Sequence, residues 1–267
     1  MSLFYLFVLA VVQGITEFLP ISSSAHLVLL HELGGPSGED IALDIAVHLG
    51  SILAVVLYLR DEASRAFRGL FSLHRWRASD EGRMALALIV ATVPAVIAGG
   101  AIAVMGWADT LRDIRVIGWT MILFGLALYV VHRVAPETHR QADWGLGTAL
   151  QLGLWQALAL IPGVSRSGIT MTAARAMGYE RHTAARISML MSIPITLATG
   201  AALAKDIGEA DAGSGLLVSA LVAAAFAFVA AYAALALMMA FLARVSFTPY
   251  VVYRVLLGIV LLGIAYG

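Results

Sequence analysis

Six stretches of the chain are apolar for long enough to cross a hydrocarbon core as helices. A core about 30 Å thick takes about 20 residues of helix, because every backbone polar group inside it has to be satisfied within the segment. The stretches run approximately from Ile41 to Leu59, Met84 to Met105, Val116 to Val131, Ile187 to Ala204, Leu216 to Leu242 and Tyr250 to Tyr266. Two further apolar regions are broken in the middle by proline, serine and charge. Leu3 to Leu30 is interrupted at Glu17 to Ser24, and Trp144 to Met177 at Pro162 to Ser167. No basic residue precedes the apolar run from Leu3 to Val12 and no clear small-residue cleavage site follows it, so a signal peptide is not expected there.

The charged residues orient these elements. The connector from Arg60 to Arg83 carries Arg60, Arg65, Arg68, Arg75, Arg77 and Arg83, whereas Lys205 to Gly213 has one lysine against Asp206, Glu209 and Asp211. The positive-inside rule makes the first connector cytoplasmic. Counting spans from it puts the loops near Gly35 and Asp109 outside, those near Arg140 and Arg181 inside, the acidic connector outside and Arg244 inside. The count closes only if each broken region enters and leaves on one face, the first from outside and the second from inside. Both are therefore expected to be re-entrant helical hairpins. Composition agrees: 61% of the 267 residues are hydrophobic and 13% charged, which excludes an ordinary soluble domain and a disordered chain alike. Cysteine is absent, so disulfides, thiolate catalysis and cysteine-bound zinc are excluded, and a metal has to sit on carboxylate, amide, hydroxyl or imidazole groups. Lys+Arg and Asp+Glu both number 17, which leaves no basic excess for a nucleic acid.

The two broken regions resemble each other. Shifted by 143 positions, Gln13 to Leu27 lies over Gln156 to Thr170, with Gln13 on Gln156, Ser22 on Ser165 and Ser24 on Ser167, and Pro20 one place out of step with Pro162. At a shift of 141, Ser51-Ile52 falls on Ser192-Ile193. Three spans separate the copies, which inverts the second relative to the first. The expected fold is therefore an all-α integral membrane protein of six transmembrane helices and two re-entrant hairpins in an inverted-topology repeat. It is one domain over residues 1–267, with repeat units of about 1–131 and 144–267. Inverted repeats with discontinuous helices are an architecture of secondary transporters, in which half-helix ends bind ions and anionic groups.

Ionisable groups at membrane depth are costly and mark function. In the first break Glu17 follows Gln13 by four residues on one helical face, and Ser22, Ser23, Ser24 and His26 come just after Pro20. Carboxylate, amide and hydroxyl oxygens suit Mg²⁺ or Ca²⁺, and His26 beside Ser23 and Glu17 suits acid–base work. The plainer alternative is that Glu17 caps a broken helix and the serines satisfy freed backbone groups. His31 and Glu32 read as interfacial residues. In the second break Pro162 and Gly163 interrupt the helix, Ser165, Arg166, Ser167 and Thr170 supply donors, and a helix with free N-terminal amides resumes at about Ile169. That combination is an anion site, with a guanidinium that matches phosphate bidentately. Alternatively Arg166 pairs with Glu17; both hold if a resting ion pair opens to admit substrate. Asp44 and His48 share a helical face and form either a second layer around the site or a polar helix contact. Arg175, Arg181 and Arg186 flank the inner face, Arg254 reads as buried against a partner in a structural role, and the arginines from Arg68 to Arg77 are expected to meet anionic lipid.

These residues resemble a family. QGITEFLPISSSAH (Gln13 to His26) is similar to the (E/Q)xxxE-FLP-SSxxH signature, and PGVSRSGIT (Pro162 to Thr170) to the PGxSRSxxT signature, of the bacterial undecaprenyl-diphosphate phosphatases, also called bacitracin-resistance proteins. DIAVHLGSILAVV from Asp44, ARISMLMSIP from Ala185 and FTPYVVYRVLLG from Phe247 are similar as well, so the resemblance covers nearly the whole chain. It implies a multi-pass enzyme of the bacterial plasma (inner) membrane. Such an enzyme hydrolyses undecaprenyl diphosphate to undecaprenyl phosphate and inorganic phosphate, recycling the lipid carrier for peptidoglycan synthesis. It also implies a divalent cation, Mg²⁺ or Ca²⁺, and an active site open to the outer, periplasmic face. Carried over by position, Gln13 and Glu17 are the acidic-motif pair that holds the metal, and Gln13 stands where many members have glutamate, leaving one carboxylate fewer. Ser22, Ser23 and His26 form the catalytic cluster, and Ser165, Arg166, Ser167 and Thr170 the phosphate-binding cluster. In the mechanism expected, Arg166 and the amides from Ser165 to Gly168 hold the terminal phosphoryl group. Either Ser23, deprotonated by His26, or a water activated by His26 attacks it. The rival reading is a membrane transporter (flippase) of undecaprenyl phosphate or another anion, which releases no phosphate in detergent. A purely structural assembly partner leaves buried Glu17, His26 and Arg166 without a reason. The partners expected are the lipid substrate and the bilayer, with a homodimer left open and no nucleic acid.

Overall fold

A computed structural model describes residues 3–34, 39–139, 144–207, 214–242 and 244–267. The regular elements among them are helices: α1 (Leu3–Thr16), α2 (Ser23–Gly34), α3 (Glu39–Tyr58), α4 (Arg60–Phe71), α5 (Asp80–Met105), α6 (Ala108–Leu111), α7 (Ile114–Val134), α8 (Leu146–Ala157), α9 (Arg166–Ala176), α10 (Arg181–Ile207), α11 (Ser214–Leu242) and α12 (Thr248–Tyr266), with 3-10 turns at Leu73–Arg75 and Leu158–Leu160. An isolated bridge between His139 and Tyr179 is the one strand-like pairing among the described residues.

Among the described residues, five helices are long and apolar enough to cross a membrane: α5, α7, α12, and the parts of α10 and α11 from Arg181 to Leu203 and from Leu216 to Leu242. The sixth expected span, α3, is represented from Ala42 to Tyr58 and is followed directly by α4, which leaves its axis at 99°. The bend follows the sequence. Apolar residues end at Leu59, and from Arg60 the pattern becomes amphipathic, with Ala63, Ala66, Phe67 and Leu70 at helical spacing and Phe67 and Phe71 exposed edge to face. The arginine-rich connector is therefore largely helical. Arg68 ties α4 to Glu81 at the start of α5, Glu62 pairs with Arg186 on α10, and Arg65, Arg75 and Arg77 are exposed. Helix α5 starts earlier than the apolar run because Ser79 caps it, accepting from the Gly82 amide, with Asp80 and Glu81 in its first turn. It ends at Gly106 in the left-handed conformation. Asp113 caps α7 by accepting from the Arg115 amide, and its hydrogen bonds to the Arg115 side chain and backbone hold its carboxyl at about 2.

The broken regions are half-helices. Helices α1, α2, α8 and α9 have 14, 12, 12 and 11 residues. At about 1.5 Å per residue each is roughly 16–21 Å long, too short to cross the core. Each first half-helix lies along a span from the other half of the chain: α1 along α11, and α8 along α5. The approach is close at a glycine in each pair. A Cβ on Gly14 would fall 2.7 Å from the Ala227 carbonyl oxygen, and one on Gly153 would fall 2.6 Å from that of Ala91. Helix α3 packs on α10 and α11, α7 on α12, and α9 on α7 and α10, so the breaks lie at the centre of the bundle. The side chains of His31 and Glu32, and the connector 208–213 with most of the acidic residues that orient the chain, lie outside the described residues.

Candidate active site

Each break reverses through a serine. Ser22 and Ser165 have φ of 72° and 70°, and no other non-glycine residue among those described has a positive φ. Such a conformation costs about 1–2 kcal/mol and persists where its surroundings fix it. The surroundings match in the two copies: Ser22 Oγ is 3.1 Å from Ser24 Oγ, and Ser165 Oγ is 3.1 Å from Ser167 Oγ. Ser165 also caps α9, accepting from the Gly168 amide at 3.1 Å.

The two breaks meet through Glu17, which is 8% exposed. Its Oε1 accepts from Arg166 Nη2 at 3.1 Å. Its Oε2 accepts from Gln13 Nε2 at 2.8 Å and from Ser23 Oγ at 2.7 Å, and lies 3.8 Å from His48 Nε2. Arg166 also donates to the Ser188 carbonyl and lies over the Phe18 ring. Ser167 Oγ crosses to the Leu19 carbonyl at 2.8 Å, and Thr170 bonds the Arg166 carbonyl and Ser188 Oγ. The expected ion pair between Glu17 and Arg166 is thus present, and it borders a cavity of about 790 Å³. Glu17, Ser23, Ser165 and Arg166 line this cavity with Asp44 and His48 from α3 and Arg112 after α6. Its remaining walls are mostly small or apolar, among them Leu27, Ile45, Gly99, Ile102, Gly200 and Leu203.

Other expected site residues stand behind this surface. Ser22, Ser167 and Thr170 are buried and spend their hydroxyls on the breaks themselves. The Gly168 amide is taken by Ser165, and what Gly168 supplies is room, since a Cβ there would fall 2.7 Å from Arg254 Nη1. Gln13 is fully buried and turns its amide nitrogen, not its oxygen, toward Glu17, as a carboxylate requires of its donor. That orientation presents the wrong atom to a cation shared with Glu17. No cluster of three His, Asp or Glu side chains suited to a metal occurs among the described residues. Among the described residues, Glu17 and Asp44 are the carboxylates on the cavity wall, a donor set that fits a Mg²⁺ or Ca²⁺ bound largely by phosphate oxygens.

His26 is placed differently from the expectation. Its Nδ1 is 2.7 Å from the Ser22 carbonyl and must carry the proton. Its Nε2 therefore accepts from Tyr253 Oη at 2.5 Å, and the rings stack. No hydrogen bond joins His26 to Ser23 among the described residues; Ser23 donates to Glu17 instead. Sequence reasoning missed Tyr253, which looks like any aromatic in an apolar span, and Ser188, which sits inside one. It paired Asp44 with His48 without placing His48 next to Glu17.

A family model described as "Bacitracin resistance protein BacA" matches residues 6–260. Curated undecaprenyl-diphosphatases are similar over the whole of both chains: that of Ruegeria pomeroyi is 54% identical and that of Jannaschia sp. 53%. The undecaprenyl-diphosphatase of Alteromonas mediterranea is 42% identical over 98% of each chain. With a match this long and relatives this similar, the chain belongs to the bacitracin-resistance family of undecaprenyl-diphosphatases.

Proposed function

We propose that the two breaks form a single site at which this multi-pass membrane hydrolase removes the terminal phosphate of undecaprenyl diphosphate. The observation that carries the reading is the contact of Glu17 with Arg166 at 3.1 Å across the breaks, with Ser23 on the same carboxylate and a cavity in front. The matching serine turns and the exchange of half-helices support an inverted repeat of two halves in one domain.

The terminal phosphoryl group takes the place of Glu17 on Arg166, whose fork suits two phosphate oxygens, at the start of α9 where helix amides favour an anion. Ser23 Oγ attacks phosphorus and passes its proton to Glu17, with which it already shares a hydrogen bond. The bond to the bridging oxygen breaks, its electron pair leaves with undecaprenyl phosphate, and water hydrolyses the phosphoserine. His26, once turned from Tyr253, takes the proton of the water that hydrolyses the phosphoserine. Glu17 and Asp44 would hold a Mg²⁺ or Ca²⁺ that neutralises charge on the departing phosphate. The cavity is lined by the ends of α3, α5 and α10 remote from the arginines of α4, which supports a mouth on the outer face of a bacterial plasma membrane.

The test is phosphate release from a prenyl diphosphate by purified protein in detergent, with Mg²⁺ or EDTA. Metal-dependent release that is lost in Arg166→Ala is the expected result. Folded wild-type protein that releases none would refute the reading and turn attention to lipid-phosphate transport in liposomes. Rapid quenching should trap phosphoserine at Ser23; its absence in a slow variant would favour direct attack by water.

A further inference from the structure

Arg254 lies in the first half of α12, is fully buried, and takes no direct part in the steps above. A charge at membrane depth needs a partner. Its partners are backbone carbonyls on three separate elements: Met121 on α7 at 3.2 Å from Nε, Gly163 and Val164 of the second break at 2.9 Å from Nη2, and Pro20 of the first break at 3.5 Å from Nη1. Among the described residues no carboxylate pairs with it. The carbonyls of Pro20, Gly163 and Val164 lie outside any helix and in a bilayer have no water to turn to.

The neighbours make way for this side chain. A Cβ on Gly125 of α7 would lie 3.3 Å from Arg254 Cβ, and the Gly168 position touches Nη1. A lysine has one compact ammonium in place of a planar fork and cannot serve both breaks in this geometry.

We propose that Arg254 is a positioning residue for phosphoryl transfer: its guanidinium pins the first break to the second, setting Ser23 and Glu17 in register with a phosphate held on Arg166. The proposal rests on the reading of the two breaks as one site. Arg166 and Ser165 sit together on the second break and can bind phosphate without Arg254. The attacking hydroxyl sits on the first break, so loss of the pin misplaces it and slows turnover while leaving binding largely intact.

The experiment compares wild type, Arg254→Lys and Gly125→Val in detergent, measuring thermal unfolding, kcat and KM for a prenyl diphosphate. Gly125→Val crowds the arginine stem from α7 while leaving its charge in place, and carries the test if Arg254→Lys does not fold. Because the chain has no cysteine, spin labels on Ile15→Cys in α1 and Leu158→Cys in the 3-10 turn that follows α8, both at exposed positions, report the distance between the breaks independently of activity. A folded Arg254→Lys is expected to lose about 10–100-fold in kcat, the scale of a misplacement of about 1 Å, with KM within about threefold of wild type. Gly125→Val should move in the same direction, and both should broaden the label distances. The proposal is overturned if kcat stays within about twofold, if the loss merely tracks the unfolded fraction, if KM alone rises, or if kcat falls with label distances unchanged. Failure of the one-site reading is separate: it would show as full activity in Arg166→Ala, whatever the label distances.

Discussion

Replacing Glu17 by glutamine removes one charge while keeping shape, and the surroundings set the size of the effect. The carboxylate accepts three hydrogen bonds, from Gln13, Ser23 and Arg166. Removing one member of a buried ion pair costs about 3–5 kcal/mol when the other is left stranded. Arg166 is not stranded: it keeps the Ser188 carbonyl and faces the cavity. The new amide can still accept from Arg166 through its oxygen, and Gln13, whose Oε1 has no partner, can turn to accept from its nitrogen. What is lost for certain is the acceptor for Ser23. The stability cost of Glu17→Gln should therefore be about 1–2 kcal/mol, a fall of a few degrees in melting temperature. The kinetic cost is larger. Without a proton acceptor on Ser23, kcat should fall by about 10²–10⁴-fold. KM should stay level or fall, because phosphate no longer competes with a carboxylate for Arg166. The assay is phosphate release over a range of prenyl diphosphate concentrations, beside a melting curve of the same preparation. A kcat within about threefold of wild type, or a KM raised about tenfold at unchanged kcat, would refute the assigned roles.

Further outcomes follow from other contacts. His26→Ala should reduce kcat by about 10²-fold or more, whereas Tyr253→Phe, which frees Nε2, should cost less than about fivefold; the opposite order in steady-state assays would mean that the bond between the two rings, not the free imidazole, serves turnover. Gly50→Val would place a Cβ about where the Ala224 carbonyl lies, 2.1 Å from its oxygen, and force α3 away from α11. Overpacking of this kind costs about 1–3 kcal/mol, so the melting temperature should fall by several degrees; an unchanged melt would contradict the close packing of these helices.

The spans were legible because a bilayer leaves few alternatives: the six apolar runs return as α3, α5, α7, α10, α11 and α12. The early start of α5 was written in Ser79, Asp80 and Glu81, an N-terminal cap signal that the switch to apolar residues at Met84 overshadowed. Helix α4 was hidden by its charges, although Ala63, Ala66, Phe67 and Leu70 keep a helical period. The pairing of Glu17 with Arg166 could be anticipated, since two buried opposite charges on two breaks need each other. The placement of His26 on Tyr253 could not, because it joins residues far apart in sequence through a rotamer choice that leaves no local pattern. Arg254 was legible as a buried residue with a partner, but backbone carbonyls carry no side-chain signature, so its link to both breaks emerges only from the fold.

The central claim, that one site spans both breaks, is tested most directly by a double-mutant cycle on phosphate release with Glu17→Gln, Arg166→Ala and the two combined, each shown to be folded. Residues that act as one unit fail together. The combined variant should be slower than the worse single variant by no more than about threefold. Losses that multiply, or release that survives when either break is disabled, would contradict the account.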